Sequence, residues 1–306
     1  MEGVINVLKP PGMTSHDVVD YLRKKSGIRK VGHTGTLDPL AAGVLVLCVG
    51  RATRIARFLP EDKAYRAELV LGVATTSGDV EGEVIRVTPA GRLDRKRLDE
   101  VLAGLTGPGT QVPPMTSARK VGGRKLYELA RKGMDVSREP RPVEIYRLQL
   151  VAVRFADTPH PRLIVDVACS KGTYIRTLCA DIGARMNYGA HMSFLVRTAV
   201  GNFKITAALT LEEMDTALRL GAPDRMLMSI DSALAHLPLV RVNSGAVRAV
   251  LSGSPLYSPG IAEAPEETGE YVRLGDASGL LAVAKKVDGD SRRHVVFQPV
   301  WVRIRS

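Results

Sequence analysis

Apolar residues in the first quarter of the chain follow two periods, one typical of strands and one typical of helices. Residues 3–8 alternate and end at a Pro-Pro-Gly turn, which predicts a strand. Residues 16–26 carry apolar side chains at helical spacing and end before a glycine, which predicts a helix. The unbroken apolar run at 44–49 predicts a buried strand, and the alternation over 63–73 predicts a strand with one face turned inward.

The rest of the pattern predicts helices and strands in no regular order. A short basic helix with Arg51, Arg54 and Arg57 should follow the first buried strand, and residues 108–114, rich in Gly and Pro, should form a loop. We expect further helices at 94–105, from the stretch 170–176 to about residue 186, and at 210–220. We expect further strands at 80–87, 143–155, 162–169 and 193–204, the first of them paired with the strand at 63–73.

This order of elements indicates an α+β fold. Strands and helices interleave without a clean βαβ repeat, so a mixed or antiparallel sheet is expected. After residue 237 the texture changes to short β segments broken by Gly, Pro, Ser and Asp. We therefore predict a large domain over 1–237 and a small β-rich domain over 238–306.

The net charge of the chain indicates the chemical class of its partner. The 306 residues carry a net charge of +11 and a pI near 9.7, an excess that is typical of proteins with a polyanionic partner such as nucleic acid. Within 119–141, eight basic residues face three acidic ones, and a basic helix over 124–132 is expected there. This segment, the basic arm, suits contact with phosphates, although a solvated charged face would have the same composition. Its candidate contacts are Arg124, Lys125, Arg131 and Lys132.

The isolated cysteines and the lack of long apolar runs indicate the cellular compartment and the absence of a structural metal site. The three cysteines stand singly, with no Cys-x-x-Cys pair and no histidine at ligand spacing, which favours a reducing compartment and argues against structural zinc. No apolar run is long enough for a membrane helix, and the first residues do not resemble a signal peptide. A cytoplasmic protein that does not bind membranes is the expectation.

The stretch from Gly32 to Gly43 holds the strongest candidate for chemistry. Asp38 is the one acidic residue between Asp20 and Glu61, and it is flanked by leucines and by residues that permit unusual backbone angles. One interpretation is a reactive carboxylate at the lip of the core. The other is a turn or helix cap, a common role for Asp before Pro.

Four motifs in order along the chain resemble the tRNA pseudouridine-55 synthase family, over roughly residues 3–205. The last 70 or so residues resemble, more weakly, the small RNA-binding β domain called PUA that often follows this catalytic domain. The motifs are Lys9-Pro10-Pro11-Gly12-Met13-Thr14-Ser15-His16, Gly32-His33-Thr34-Gly35-Thr36-Leu37-Asp38-Pro39, Lys63-Ala64-Tyr65-Arg66 and Ser170-Lys171-Gly172-Thr173-Tyr174-Ile175-Arg176-Thr177.

The resemblance implies isomerisation of one uridine in the T loop of tRNA, uridine 55, in which a C1′–N1 bond is broken and a C1′–C5 bond is made. The target base is stacked and must be flipped into a pocket at a cost of about a few kcal/mol. Asp38 is implied as the essential carboxylate, either a nucleophile or the base that deprotonates the ribose. Arg176 is implied as its cationic partner, and Tyr65 as the ring that stacks on the flipped uracil and could relay the proton from C5.

The resemblance also implies supporting residues. His33 would help hold the displaced bases, Lys9 and Lys171 would support the loop or contact phosphates, and Leu195 would wall the pocket. Neither metal nor organic cofactor is called for. The expected partner is the T arm of tRNA, and no obligate protein partner is expected. One position departs from the family, because Thr116 stands where Tyr is common, and this puts any stacking or hydroxyl role there in doubt.

Three other hypotheses belong to different classes. The chain could be chiefly an RNA-binding factor that helps tRNA to fold, with a dispensable catalytic centre. It could be a nucleotide-using enzyme with Gly32 to Gly43 as a phosphate loop, although the Gly-Lys-Ser/Thr ending of such loops is absent. It could also be a guide-RNA-dependent relative from the same superfamily.

Overall fold

A large sheet fills the first two thirds of the chain, and a smaller sheet forms from residue 239 onward. The computed structural model describes residues 1–117, 119–130, 132–134, 136–287 and 295–303. Both sheets are mainly antiparallel and are packed with helices, so the predicted α+β class is confirmed. In the described part of the chain, no helix has both the length and the apolar character that crossing a bilayer requires.

Thirteen strands lie in the described residues of the first two thirds of the chain. They are β1 Gly3–Lys9, β2 Val31–His33, β3 Ala42–Val49, β4 Lys63–Leu71, β5 Val73–Thr75, β6 Val84–Val87, β7 Gly107–Gln111, β8 Lys120–Val121, β9 Arg124–Lys125, β10 Arg141–Arg154, β11 Arg162–Cys169, β12 Ala190–Val200 and β13 Phe203–Lys204. The strands of the last third are β14 Leu239–Val242, β15 Leu256–Tyr257, β16 Ile261–Glu263, β17 Tyr271–Asp276, β18 Gly279–Lys286 and β19 Val295–Val302.

The helices lie between these strands. They are α1 Ser15–Ser26, α2 Arg95–Ala103, α3 Leu126–Ala130, α4 Ile175–Arg185, α5 Leu211–Arg219, α6 Ile230–Ala233 and α7 Val247–Leu251. Two consecutive 3₁₀ helices, Gly50–Arg54 and Ala56–Phe58, follow β3 where the short basic helix was expected. Thr14 and Thr210 cap α1 and α5 through reciprocal bonds with the third residue of each helix, so local sequence starts both helices.

The nine-stranded sheet has the order β1-β3-β12-β4-β11-β10-β7, with β2 added to β3 and β13 added to β12. Its pairs are antiparallel except for β3 and β12, which run parallel at the centre. That parallel contact places the start of β3, and with it the Asp38 loop, beside Val196 and Arg197 of β12.

Two cores cover opposite ends of this sheet. Helices α2 and α4 bury Leu98, Leu178 and Ile182 against β4, β11 and β12. Helices α1 and α5 bury Leu22 and Met214 against β1 and β3. At about 1.5–3 kcal/mol for each fully buried large apolar side chain, these contacts rather than helix propensity hold the helices in place.

Three expectations about elements are corrected. Strand β6 pairs with β5 in a separate two-stranded sheet instead of with the long strand β4. The stretch 108–114, expected to be a loop, supplies β7, which pairs with β10. Instead of one helix over 124–132, β9 pairs with β8 around Gly122 and Gly123, both at positive φ, and α3 takes only five residues.

Candidate active site

Asp38 lies in the loop between β2 and β3, at the edge of the large sheet. Its neighbour Leu37 is 3% exposed and joins the core under β4 and β12, whereas the Asp38 side chain is 38% exposed. The Ala41 amide donates to the Asp38 carbonyl at 3.0 Å, which closes a turn. No helix begins at Pro39, so Asp38 does not cap a helix, although its backbone carbonyl closes this turn. The carboxylate is anchored by a buried neighbour and remains open to a ligand.

Three groups clamp this loop, one at the end of β1, one in the turn after it and one at the start of α1. The Ser15 hydroxyl accepts from the Leu37 amide at 2.8 Å and donates to the Leu37 carbonyl at 3.1 Å. The Gly12 amide donates to the Pro39 carbonyl at 2.9 Å. Because these bonds fix the residues on both sides of Asp38, they limit where its carboxylate can point.

Lys9 supplies the third group of the clamp. Its side chain is fully buried, and its ammonium donates to the carbonyls of Pro10, Met13 and Pro39 at 2.8, 2.6 and 3.1 Å. Burial, reinforced by the charge of Arg197, lowers the pKa of Lys9 to about 8. Lys9 therefore supports the Asp38 loop through backbone carbonyls.

Arg176, in the first turn of α4, joins two carboxylates. Its Nε lies 3.1 Å from Asp38 Oδ2 and its Nη2 lies 3.5 Å from Asp38 Oδ1. Its Nη1 lies 3.2 Å from Asp79 Oδ2 and also donates to the Thr116 hydroxyl. The Arg176 side chain is only 7% exposed, so the charge that Asp38 faces is poorly screened by water. Thr116, despite its departure from the family, does contact the site.

Asp79 is a member of the site that sequence reasoning missed. It lies in the loop after β5, where the Ser77 hydroxyl and the Glu81 amide donate to its Oδ1 at 2.5 and 3.1 Å. Only its second oxygen is left for Arg176. The one signal in the sequence was a glycine before an aspartate, and Gly78 indeed adopts a positive φ of 74°.

Tyr65 and Leu195 form the apolar floor beside the carboxylate. Both are buried in the core cluster that contains Leu37, at 7% and 5% exposure. Burial raises the pKa of Tyr65 to about 12, although the guanidinium of Arg197, which donates to the Tyr65 hydroxyl, acts in the opposite direction. Tyr65 is thus a neutral phenol at ordinary pH.

Arg197 is the second residue that sequence reasoning missed. It is 1% exposed, and it donates to the carbonyls of Val44, Thr36 and Gly35 at 2.7, 3.1 and 3.0 Å. A Cβ on Gly43 would lie 2.2 Å from the Arg197 carbonyl oxygen, so only glycine allows β3 to approach β12 here. Arg197 therefore ties the loop before Asp38 to the central strand.

His33 lies in β2, five residues before Asp38. Desolvation lowers its pKa, with a further contribution from Arg197, so its imidazole is neutral near pH 7. Its Nδ1 is buried and has no hydrogen-bond partner among the described residues. An unpaired buried nitrogen of this kind is unusual, because buried polar atoms normally have a hydrogen-bond partner.

Lys171 and the basic arm lie outside this network. Lys171 is 67% exposed and pairs with Glu61 at 2.5 Å, with no contact to Asp38 in the described part of the chain. Arg124 and Lys132 are exposed, and Lys125 lies in β9. Arg131 falls outside the described residues. The structure brings together Asp38, Tyr65, Arg176 and Leu195, supported by Lys9 and with His33 nearby.

Solved structures with a similar fold indicate the class of protein. The chain matches a structure of an H/ACA ribonucleoprotein bound to a substrate RNA containing 2′-deoxyuridine, with a TM-score of 0.76 and 26% identity over 99% of this chain and 85% of that one. It matches a Cbf5-Nop10-Gar1 complex with the same TM-score and 28% identity over 98% of this chain and 84% of that one. The fold is that of a pseudouridine synthase.

The matches to family models and to curated relatives identify the family within this class. Residues 23–175 match the N-terminal domain of TruB family pseudouridylate synthases, and residues 176–235 match the tRNA pseudouridylate synthase B C-terminal domain. The tRNA pseudouridine synthase B of Pelotomaculum thermopropionicum is 50% identical over 100% of this chain and 98% of its own length. That of Moorella thermoacetica is 43% identical over 97% of both chains. The chain belongs to the TruB family of pseudouridylate synthases, and it is an isomerase.

Proposed function

We propose that this chain converts uridine 55 in the T loop of tRNA to pseudouridine, with Asp38 as the essential carboxylate. The observation that carries the proposal is the pairing of a partly exposed Asp38 with a buried Arg176 above an apolar floor. The name tRNA pseudouridine synthase B, which relatives of up to 52% identity bear, supports tRNA as the substrate.

The reaction conserves atoms, since the C1′–N1 bond breaks, a C1′–C5 bond forms, and the proton on C5 is exchanged for one on N1. Asp38 must be ionised either to attack the uridine or to remove a ribose proton, and Arg176 stabilises that charge while fixing both oxygens. Asp79 holds the third guanidinium nitrogen, so Arg176 cannot swing away when the substrate enters.

Tyr65 and Leu195 would receive the flipped base. Stacking on a neutral aromatic ring offsets part of the cost of unstacking, at about 1–3 kcal/mol for a base on a ring. The raised pKa of Tyr65 keeps its hydroxyl protonated, which suits stacking and a hydrogen-bonded relay of the C5 proton. His33 would hold displaced bases, Lys9 supports the loop, and Lys171 contacts phosphate from the rim.

The surrounding surface supplies RNA affinity in this proposal. The basic arm would contact T-arm phosphates, and residues 238–306 would form a PUA-like RNA-binding domain beside a catalytic domain of residues 1–237. Binding along so much of the tRNA would also assist its folding. As an enzyme that modifies tRNA, the chain would work in the cytoplasm and without an obligate protein partner.

The test is tritium release from a 5-tritiated T-arm stem-loop RNA by the purified chain without additives. We expect release at one uridine of the loop, and none from Asp38→Asn, whose nearly isosteric amide should keep RNA affinity within a few-fold. Asp99→Asn, which removes an exposed carboxylate on α2, is the matched control and should remain active.

Other outcomes would replace the proposal. Binding without release by the wild type would indicate an RNA-folding factor or a guide-dependent relative. A large loss of affinity in Asp38→Asn would mean that the Asp38 pair is mainly structural.

A further inference from the structure

The two 3₁₀ helices after β3 present a row of arginines on one side and a row of apolar residues on the other. A 3₁₀ helix has three residues per turn, so side chains three apart are eclipsed and lie about 6 Å apart along the axis. Ala52, Ile55 and Phe58 occupy one such row and are buried, at 0%, 0% and 5% exposure. Arg51, Arg54 and Arg57 therefore form the next row, at the surface.

This arginine row faces the last strand of the small sheet across an open groove. The groove has a volume of about 610 Å³ and is lined by Arg54, Arg57 and the stretch 299–302, which includes Trp301. No acidic residue lines it in the described part of the chain. One guanidinium nitrogen of Arg57 donates to the Val300 carbonyl at 3.3 Å. The guanidinium carbon lies 4.6 Å from the centre of the Phe58 ring.

Arg54 is the strongest indication that the groove binds an anion. Its side chain is exposed and has no ion pair or hydrogen bond with any described residue. Arg51, one turn earlier in the same row, differs from Arg54 because it pairs with Glu2 at 2.5 Å. Two guanidinium groups beside a half-buried indole ring suit a sugar-phosphate strand, with charge on the arginines and an apolar surface under the sugar or base.

We propose that this groove binds backbone phosphates of the tRNA substrate at a position outside the T arm. The inference rests on the proposed function and extends it to a second contact. The groove and Asp38 lie at opposite ends of β3, whose eight residues span roughly 24 Å. When a uridine of the T loop is held at Asp38, the groove therefore remains available to RNA beyond that loop.

The test compares one protein on two RNAs, with dissociation constants from filter binding as the readout. Arg54→Gln/Arg57→Gln and the single variant Arg54→Glu should weaken full-length tRNA at least about fivefold and lower the salt slope of log K by about one for each arginine. Affinity for the isolated T-arm stem-loop, and tritium release from it, should stay unchanged. Arg92→Gln/Lys96→Gln at α2 removes the same charge on another face and is the matched control.

Two results would overturn the proposal. One is unchanged affinity for full-length tRNA in Arg54→Glu, whose exposed side chain can be replaced without loss of packing. The other is equal weakening of both RNAs, which would place the contact in the T arm. Because binding is read directly, a wild type that binds tRNA normally without turnover would refute the proposed function and leave this inference standing.

Discussion

Arg176 performs two tasks at one site, and its guanidinium shape makes both possible. Three of its nitrogens reach Asp38 and Asp79 from a nearly buried position. Arg176→Lys keeps the charge but offers one nitrogen, which cannot hold both carboxylates. We expect single-turnover rates about 10²-fold lower, equivalent to about 2.7 kcal/mol, with RNA affinity little changed. A rate within threefold of the wild type would show that charge alone suffices.

Lys9 makes stability depend on pH in a specific direction. Its folded-state pKa of about 8 lies below the ordinary lysine value of 10.5, so the unfolded chain binds more protons between those two pH values. The free energy of unfolding contributed by Lys9 therefore rises as pH increases through that window, by about 3 kcal/mol at about 1.4 kcal/mol per pH unit. Urea unfolding at several pH values, with Lys9→Met as the reference without this proton, should show wild type gaining on the variant.

The two residues that the sequence did not reveal were missed for physical reasons. Arg197 bonds to carbonyls 153–162 positions away, and any residue type can supply a carbonyl, so the sequence carries no signal for these partners. Asp79 becomes part of the site only because α4 brings Arg176 to its loop. By contrast, Asp38, Tyr65 and Arg176 stand in contiguous motifs, and the structure places all three at one edge of the sheet.

The parallel contact of β3 with β12 is the element that sets the site, and it depends on Gly43. Gly43 has a φ of 115°, and an added Cβ would lie 2.2 Å from the Arg197 carbonyl oxygen. Gly43→Ala should therefore cost about 3 kcal/mol or more in stability, seen as a lower midpoint in thermal unfolding. Gly32→Ala, with no atom near the added Cβ, should cost about 1 kcal/mol or less. Similar midpoints for both variants would contradict this account.

The basic arm is predicted to contribute RNA affinity through contacts with phosphates. Replacing Lys125, Arg131 and Lys132 by Gln should weaken all structured RNAs alike and reduce the salt slope of log K by about two to three, because each lost phosphate contact releases fewer counterions. Equilibrium binding at four salt concentrations measures this, with Arg92→Gln/Lys96→Gln as control. An unchanged slope would show that the arm is a solvated face.

Periodicity predicted elements well where one pattern dominated and failed where turn chemistry decided. The strand at 44–49 and the helix at 16–26 lie within β3 and α1, since burial and capping agree there. The helix expected over 124–132 is interrupted because Gly122 and Gly123 at positive φ turn β8 back onto β9. Tertiary pairing with β10 makes a strand of a Gly- and Pro-rich stretch that has little strand propensity.

At the scale of the whole molecule, the two sheets share a core, which sequence texture could not reveal. Val4, Val46, Ile55 and Phe58 of the large sheet and its 3₁₀ helices belong to one buried cluster with residues of β18. Arg273 adds bonds to Asp231 at 2.8 Å and to the Leu237 carbonyl at 3.0 Å. A joint this apolar should make the chain unfold as a single cooperative unit.

Phe58→Ala tests that joint. The Phe58 ring is 5% exposed and lies 5.1 Å from the Tyr271 ring, so truncation leaves a cavity between the sheets that should cost about 3–5 kcal/mol. Calorimetry should then show the single wild-type transition shifted down and split in two, because each sheet keeps its own core. Phe155→Ala, at a ring that is 62% exposed, should leave one transition near the wild-type midpoint. Two transitions already present in the wild type would mean that the shared cluster does not couple the sheets, and that the groove beside Arg57 joins two independently folding bodies.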